Sequence, residues 1–99
     1  MNVAGFDWDS GNRDKCQKHG VSLQEIEGLF ERPVMILPDQ AHSTTEQRSL
    51  AIGKTEAGRY VFLIFTIRER DGKSYVRPIS ARYMHKKEIE AYEKENPDL

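Results

Sequence analysis

The stretch RYVFLIFTIRERDGKSYVRPISARY, residues 59 to 83, decides the fold of this chain. Tyr60 to Arg68 is apolar at every second position and, apart from Thr66 and Arg68, on the alternate positions as well. That pattern predicts a central strand buried on both faces. Asp71-Gly72 is a favoured two-residue hairpin dipeptide, so Ser74 to Tyr83 reads as the returning strand. Pro78 lies inside it. Proline has no N–H to give to a ladder, which predicts an edge position or a bulge there.

Working outward, Arg48 to Thr55 reads as a third strand, joined to the central one through a turn at Glu56-Ala57-Gly58. Val34 to Leu37 is a brief strand stopped by Pro38-Asp39, and Gln40 to Gln47 is a polar connection. Near the start, Val3 to Trp8 predicts a short first strand, with Asp9 capping a helix that reaches Lys18 or His19. A second helix is expected from Leu23 to Glu31. Leu23, Ile26, Leu29 and Phe30 share one face at helical spacing, and Pro33 ends it. His85 to Asn96 closes the chain as a helix with Ile89 and Tyr92 on its inner face. The order predicts an α+β fold: an antiparallel sheet with two N-terminal helices and one C-terminal helix. A chain of 99 residues is expected to form a single domain, 1–99.

The corner KCQKHGVSLQE, residues 15 to 25, has a complete structural explanation. Lys18 and His19 oppose the partial negative charge at a helix C-terminus. Gly20 takes the left-handed conformation that closes many helices, and Val21 supplies the apolar contact that follows. Ser22 and Glu25 form a capping box for the next helix. Chemistry at Lys18-His19 is compatible with that reading but not required by it.

Composition sets further bounds. There are 15 basic and 16 acidic residues, a net charge of −1, which argues against nucleic-acid binding by bulk charge but not against a local basic patch. The single cysteine, Cys16, cannot form an internal disulfide and suits a reducing compartment. The N-terminus has no basic-then-apolar leader pattern, and the longest apolar run is far too short for a bilayer. A cytoplasmic protein without a membrane partner is expected.

Strand pairing turns the arginines into a pattern. A two-residue turn at Asp71-Gly72 pairs Thr66 with Arg77 and Arg68 with Tyr75, and the other hairpin places Arg48 opposite Thr66. Alternation then gathers Arg48, Thr66, Arg68, Arg77 and Tyr75 on one face at one end of the sheet. Such a group fits phosphate. In the same register Arg82 pairs near Val61, about 24 Å along the hairpin from Arg68. Strong twist, or a bulge at Pro78, would shorten that gap and change the facing of Arg82.

Taken together, Phe6-Asp7-Trp8-Asp9, Lys18-His19-Gly20-Val21-Ser22, Ile52-Gly53, Thr66-Ile67-Arg68 and Arg77-Pro78-Ile79-Ser80-Ala81-Arg82, with Glu88 and Tyr92, resemble the BrnT toxins. The likeness runs from about Phe6 to Tyr92 with the motifs in the family's order. It implies a RelE-like fold and a ribonuclease toxin of a type II toxin–antitoxin pair that inhibits translation and growth. It also implies a BrnA-type antitoxin that neutralises the toxin and represses the shared operon, so operator DNA is met only through the antitoxin. A homodimer or a heterotetramer with the antitoxin fits that arrangement. The chain departs from the family at Asn12, where many relatives carry lysine, and at Cys16, near where they carry asparagine.

Cleavage of RNA without metal requires deprotonation of a 2′-hydroxyl, stabilisation of charge on phosphorus and protonation of the leaving 5′-oxygen. Arg48 and Arg68 are the first candidates for charge stabilisation, with Arg82 added by the resemblance. His19 is the candidate general acid or base, with Lys18 beside it. Trp8 stacks on a base or packs as a core or staple residue, and Arg77 and Tyr75 complete the substrate-binding set. Cys16 and His19 have the spacing of half a zinc site, but no second Cys/His pair accompanies them, so neither metal nor cofactor is expected. His42 and His85 read as surface residues. The rival function is a non-catalytic module that acts only as partner of an antitoxin or repressor.

Overall fold

The computed structural model describes residues 3–39 and 46–97. Most of the predicted polar connection, and His42 with it, lies outside them. Among the described residues the chain forms β1 (Gly5–Phe6), α1 (Ser10–Gln17), α2 (Leu23–Leu29), β2 (Met35–Pro38), β3 (Ser49–Lys54), β4 (Tyr60–Arg70), β5 (Lys73–Tyr83) and α3 (Lys86–Glu95). The strands make one sheet in the order β1-β5-β4-β3-β2. Among the described residues no helix is long and apolar enough to cross a membrane.

The two hairpins follow their turn residues. Asp71 and Gly72 both have positive φ (52° and 74°), the geometry of a two-residue type I′ turn, and Arg70 pairs directly with Lys73. The strands therefore continue closer to the turn than Arg68 and Ser74. In the other hairpin Gly58 sits at φ 86°, and the Thr55 N–H donates to the Arg59 carbonyl at 2.8 Å.

The sheet is mixed, not antiparallel. β1 runs parallel to β5, with Gly5 beside Tyr75 and Phe6 beside Val76. It is also much shorter than the predicted Val3–Trp8. No hairpin links β1 to its neighbour, so no turn residue in the sequence specified its direction. The second helix likewise stops at Leu29, since Phe30 and Glu31 donate to carbonyls three residues back and tighten the last turn.

The sheet has two unlike faces. Val61, Leu63, Phe65, Val76 and Ala81 point toward Cys16 of α1 and toward Val21, Ile26 and Leu29, forming the main core. Burying a Leu63 or Phe65 side chain stabilises the fold by about 1.5–3 kcal/mol each. The opposite face carries Leu50, Ile52, Tyr60 and Phe62, and α3 covers only part of it through Ile89 and Tyr92. Among the described residues no other helix covers the remainder.

One irregularity governs that open face. Phe65 pairs with Pro78 but Ile64 pairs with Ser80, so Ile79 is an extra residue in β5. The expected edge or bulge at Pro78 is thus a bulge. Arg82 consequently stands opposite Phe62, not near Val61 as the uninterrupted register predicts. Because side chains alternate, that one-residue shift moves Arg82 from the face beneath α1 and α2 to the open one.

Candidate active site

The corner between α1 and α2 holds His19 in place from both sides. Asp9 caps α1, accepting from the Asn12 N–H at 3.0 Å, and Lys18 is the C-cap. Gly20 then adopts φ 91°, a left-handed conformation in which a side chain is strained. Ser22 and Glu25 make the expected reciprocal capping box. The Tyr83 hydroxyl donates to Glu25 at 2.6 Å, and the Arg59 guanidinium lies 3.4 Å from the centre of the Tyr83 ring. The carboxylate beside it holds the Tyr83 hydroxyl above its ordinary pKa. This cluster pins the corner to the end of β5.

Asn12 connects the corner to the bulge. Its side-chain oxygen accepts from the Asp9 N–H at 2.7 Å, while its amide donates to the carbonyls of Asp7 and Pro78, both at 2.9 Å. Among the described residues it is one of three buried polar side chains, with Thr55 and Thr66. Pro78 immediately precedes the extra residue, so α1 is tied to the point at which β5 changes register.

A groove of about 330 Å³ lies on the open face, lined by Leu50, Phe62, Ile64, Ser80 and Arg82, together with His19 and Asp39. Two of the sequence-predicted catalytic residues, His19 and Arg82, therefore border one cavity. Arg82 is rigidly held. Its guanidinium makes paired hydrogen bonds to both Glu88 oxygens at 2.9 and 2.8 Å and lies 4.6 Å from the centre of the Phe62 ring. Glu88 also accepts from the His85 N–H at 2.7 Å. The Arg82 hydrogen bond and then that backbone bond pull the Glu88 carboxyl down to about 2.

The other arginines collect at the far end of the same face. Thr66 pairs with Arg77 and Arg68 with Tyr75, as the turn predicts, and continuing the β3–β4 ladder past Ser49 brings Arg48 alongside. The Thr66 hydroxyl donates to the Gln47 carbonyl at 2.8 Å. Along β4 the Thr66–Arg77 row lies about 13 Å from Arg82 and the Arg68–Tyr75 row about 20 Å, at roughly 3.3 Å per residue. The arginines are interleaved with carboxylates. Glu46 lies 3.9 Å from Arg48 and 3.2 Å from Arg68, and Asp7 lies 2.7 Å from Arg70 and 3.4 Å from Arg77. Asp9 meets Arg77 at 2.7 Å. The Asp9 carboxyl is held below the ordinary range by the Asn12 backbone N–H first and Arg77 second.

The remaining candidates lie apart. Trp8 packs against the helix-side core and donates from Nε1 to Glu27 at 2.8 Å. Lys18 is exposed at the end of α1 and does not line the groove. Cys16 is fully buried, and burial pushes its thiol up to about 11, whereas His19 is exposed. Among the described residues no three His, Cys, Asp or Glu side chains are grouped so as to hold a metal ion.

Sequence reasoning missed the acidic half of the site. Asp7, Asp9 and Glu46 become partners of the arginines only through pairing between distant segments. Glu88 was more accessible, since it falls three residues after His85 in the position of a capping-box acid. Arg70 is excluded only if the strand ends at Arg68.

The α+β fold thus carries, on one sheet face, a groove bordered by His19, Asp39 and Arg82. A family profile described as the ribonuclease toxin BrnT of type II toxin–antitoxin systems matches residues 8–88, and the chain belongs to that family. It is accordingly a ribonuclease toxin, and an antitoxin partner follows from membership of such a system. Comparison with curated proteins gives no match.

Proposed function

We propose that this toxin is a metal-independent endoribonuclease whose reaction takes place in the groove between His19 and Arg82. The observation that carries the reading is the bulge at Ile79, which brings Arg82 to the cavity that His19 borders. Arg82, oriented by Glu88, stabilises the charge that develops on phosphorus. His19 exchanges a proton with the reacting oxygens, taking it from the 2′-hydroxyl or delivering it to the leaving 5′-oxygen. Attack by the 2′-oxygen forms a bond to phosphorus as the bond to the 5′-oxygen breaks, leaving a cyclic phosphate and a 5′-hydroxyl. Lys18 adds positive charge nearby.

In this reading Arg48, Arg68, Arg77 and Tyr75 hold the phosphates of the flanking strand. Their carboxylate partners do not prevent this. The Arg68–Glu46 pair is exposed on the arginine side and contributes only about 0–1 kcal/mol, and a phosphate of higher charge can replace the carboxylate there. Trp8 supports the helix side of the sheet. The protein acts as a single RelE-like domain in the cytoplasm, where cleavage inhibits translation and growth. A BrnA-type antitoxin neutralises it in a heterotetramer and carries the complex to operator DNA.

One observation favours the rival reading of a non-catalytic binding module. Arg68, Arg70, Arg77 and Arg82 each already contact a carboxylate. A single experiment separates the two. Purified toxin free of antitoxin is incubated with RNA in EDTA, and the expected result is cleavage to cyclic-phosphate ends. Activity lost in EDTA and restored by zinc or magnesium overturns the metal-free mechanism. Intact RNA under all conditions supports the binding module.

A further inference from the structure

A second cavity, of about 550 Å³, lies on the same sheet face as the groove but beside α3. Pro33, Val34, Met35, Tyr60 and Tyr92 form its apolar wall, and Arg32 and Lys54 bring two positive charges to it. Arg32 is fixed by donating to the Gly28 carbonyl at 2.9 Å. Lys54 lies 4.9 Å from the centre of the Tyr60 ring. Beside Tyr60, Glu93 accepts from its hydroxyl at 3.2 Å, and Arg32 also borders a neighbouring groove that holds Glu25, Glu31 and Glu56.

We infer that this cavity receives an apolar side chain from an acidic segment of the antitoxin. The inference rests on the toxin–antitoxin reading and names where and by what chemistry the partner is anchored. Charge complementarity selects the occupant: an apolar pocket beside two cations fits a hydrophobic residue flanked by carboxylates. A nucleobase fits poorly. Tyr60 and Tyr92 meet at 67° with ring centroids 5.5 Å apart, so they offer an edge and a face and not a parallel stacking platform. One face of Tyr60 is already covered by Lys54.

The cavity neighbours the groove. The row Met35–Ile52–Phe62–Arg82 crosses the ladder from Met35 in the cavity wall to Phe62 and Arg82 in the groove. Groove and cavity are thus about two residues, or roughly 7 Å, apart along the strands. A segment anchored at Tyr60 and Tyr92 extends over Phe62 and Arg82 and closes the proposed active site without contacting its chemistry first. Anchoring and catalysis become separable.

The test uses the full-length toxin and the purified antitoxin encoded beside it. Lys54→Glu reverses an exposed charge, and Tyr92→Ala opens the apolar wall, with thermal melts confirming that each variant is folded. Calorimetric titration with the antitoxin is expected to give a Kd raised about tenfold or more for each variant, with a weaker salt dependence for Lys54→Glu. RNA cleavage without antitoxin is expected to remain at the wild-type rate. If Tyr92→Ala does not fold, Lys54→Glu alone decides. Wild-type affinity in the folded variants overturns the inference while leaving the toxin–antitoxin reading intact. A raised KM for RNA with unchanged antitoxin affinity also overturns it and assigns the cavity to substrate. Failure of the wild-type toxin to bind the antitoxin defeats the underlying reading itself.

Discussion

Arg82 stands across the ladder from Phe62, with its guanidinium 4.6 Å from the ring centre, because Ile79 is an extra residue in β5. Arg82→Ala should therefore fold normally, since Phe62 and Glu88 lose a partner at the surface and not in the core. Cleavage should fall by about 10²–10³-fold, as expected for removal of a preorganised charge at the transition state. Arg82→Lys should recover only part of the loss, because a lysine cannot make the paired bonds to both Glu88 oxygens. Single-turnover rates on the two variants check this. A fully active Arg82→Ala toxin removes the residue from the mechanism.

Glu88 gives a pH dependence with a definite sign. Its folded pKa, about 2, lies below the ordinary value of 4.5, so the unfolded chain binds the proton more readily. The stabilisation is fully present above about pH 4.5 and is lost as the pH falls toward 2. Glu88→Gln should lower stability at neutral pH and shrink the difference from wild type as acid is added. Urea titrations of both proteins between pH 7 and 3 measure it. A stability gap that stays constant over that range contradicts the linkage.

The Asn12 amide joins Asp7 to Pro78 at the start of the bulge. Asn12→Asp keeps the oxygen that accepts from the Asp9 N–H but removes both donated bonds and sets a carboxylate against two carbonyls. It should destabilise the protein by about 1–3 kcal/mol. If the bulge depends on this tie, cleavage per folded molecule should fall as well, because the facing of Arg82 follows from the bulge. Chemical denaturation together with cleavage rates tests both parts.

Much of the fold was legible because local chemistry determines it. Asp71-Gly72 set the hairpin register, which correctly joined Thr66 to Arg77 and Arg68 to Tyr75. Ser22 and Glu25 marked the start of α2, and Gly20 the end of α1. Pro78 announced an irregularity but not its position. Proline shows only that a ladder bond is missing, whereas the choice of Ile79 as the extra residue depends on packing on both faces. The parallel pairing of β1 and the carboxylates around the arginines arise between segments far apart in sequence, and no turn or period encodes them. The uninterrupted register put Arg82 near Val61, and the bulge that the sequence allowed at Pro78 is what turns it to the other face, so His19 could not be related to it until the register was known.

His19 and Gly20 allow the two roles of the α1–α2 corner to be separated. Gly20 has φ 91°, so Gly20→Ala forces a Cβ into the left-handed region and should cost roughly 1 kcal/mol or more. His19 is exposed, and His19→Ala removes a side chain near the helix end while Gly20 still closes the turn. Its stability should fall by less than about 1 kcal/mol. If His19 moves protons in the groove, its alanine variant should melt almost as the wild type does and lose cleavage by about a hundredfold or more. If it serves only the helix end, both variants should keep their turnover per folded molecule, and only Gly20→Ala should melt markedly earlier. Thermal melts with cleavage rates corrected for the folded fraction distinguish the outcomes. A stable and fully active His19→Ala toxin leaves the charge stabilisation to Arg82 and assigns the proton transfers to another group at the groove.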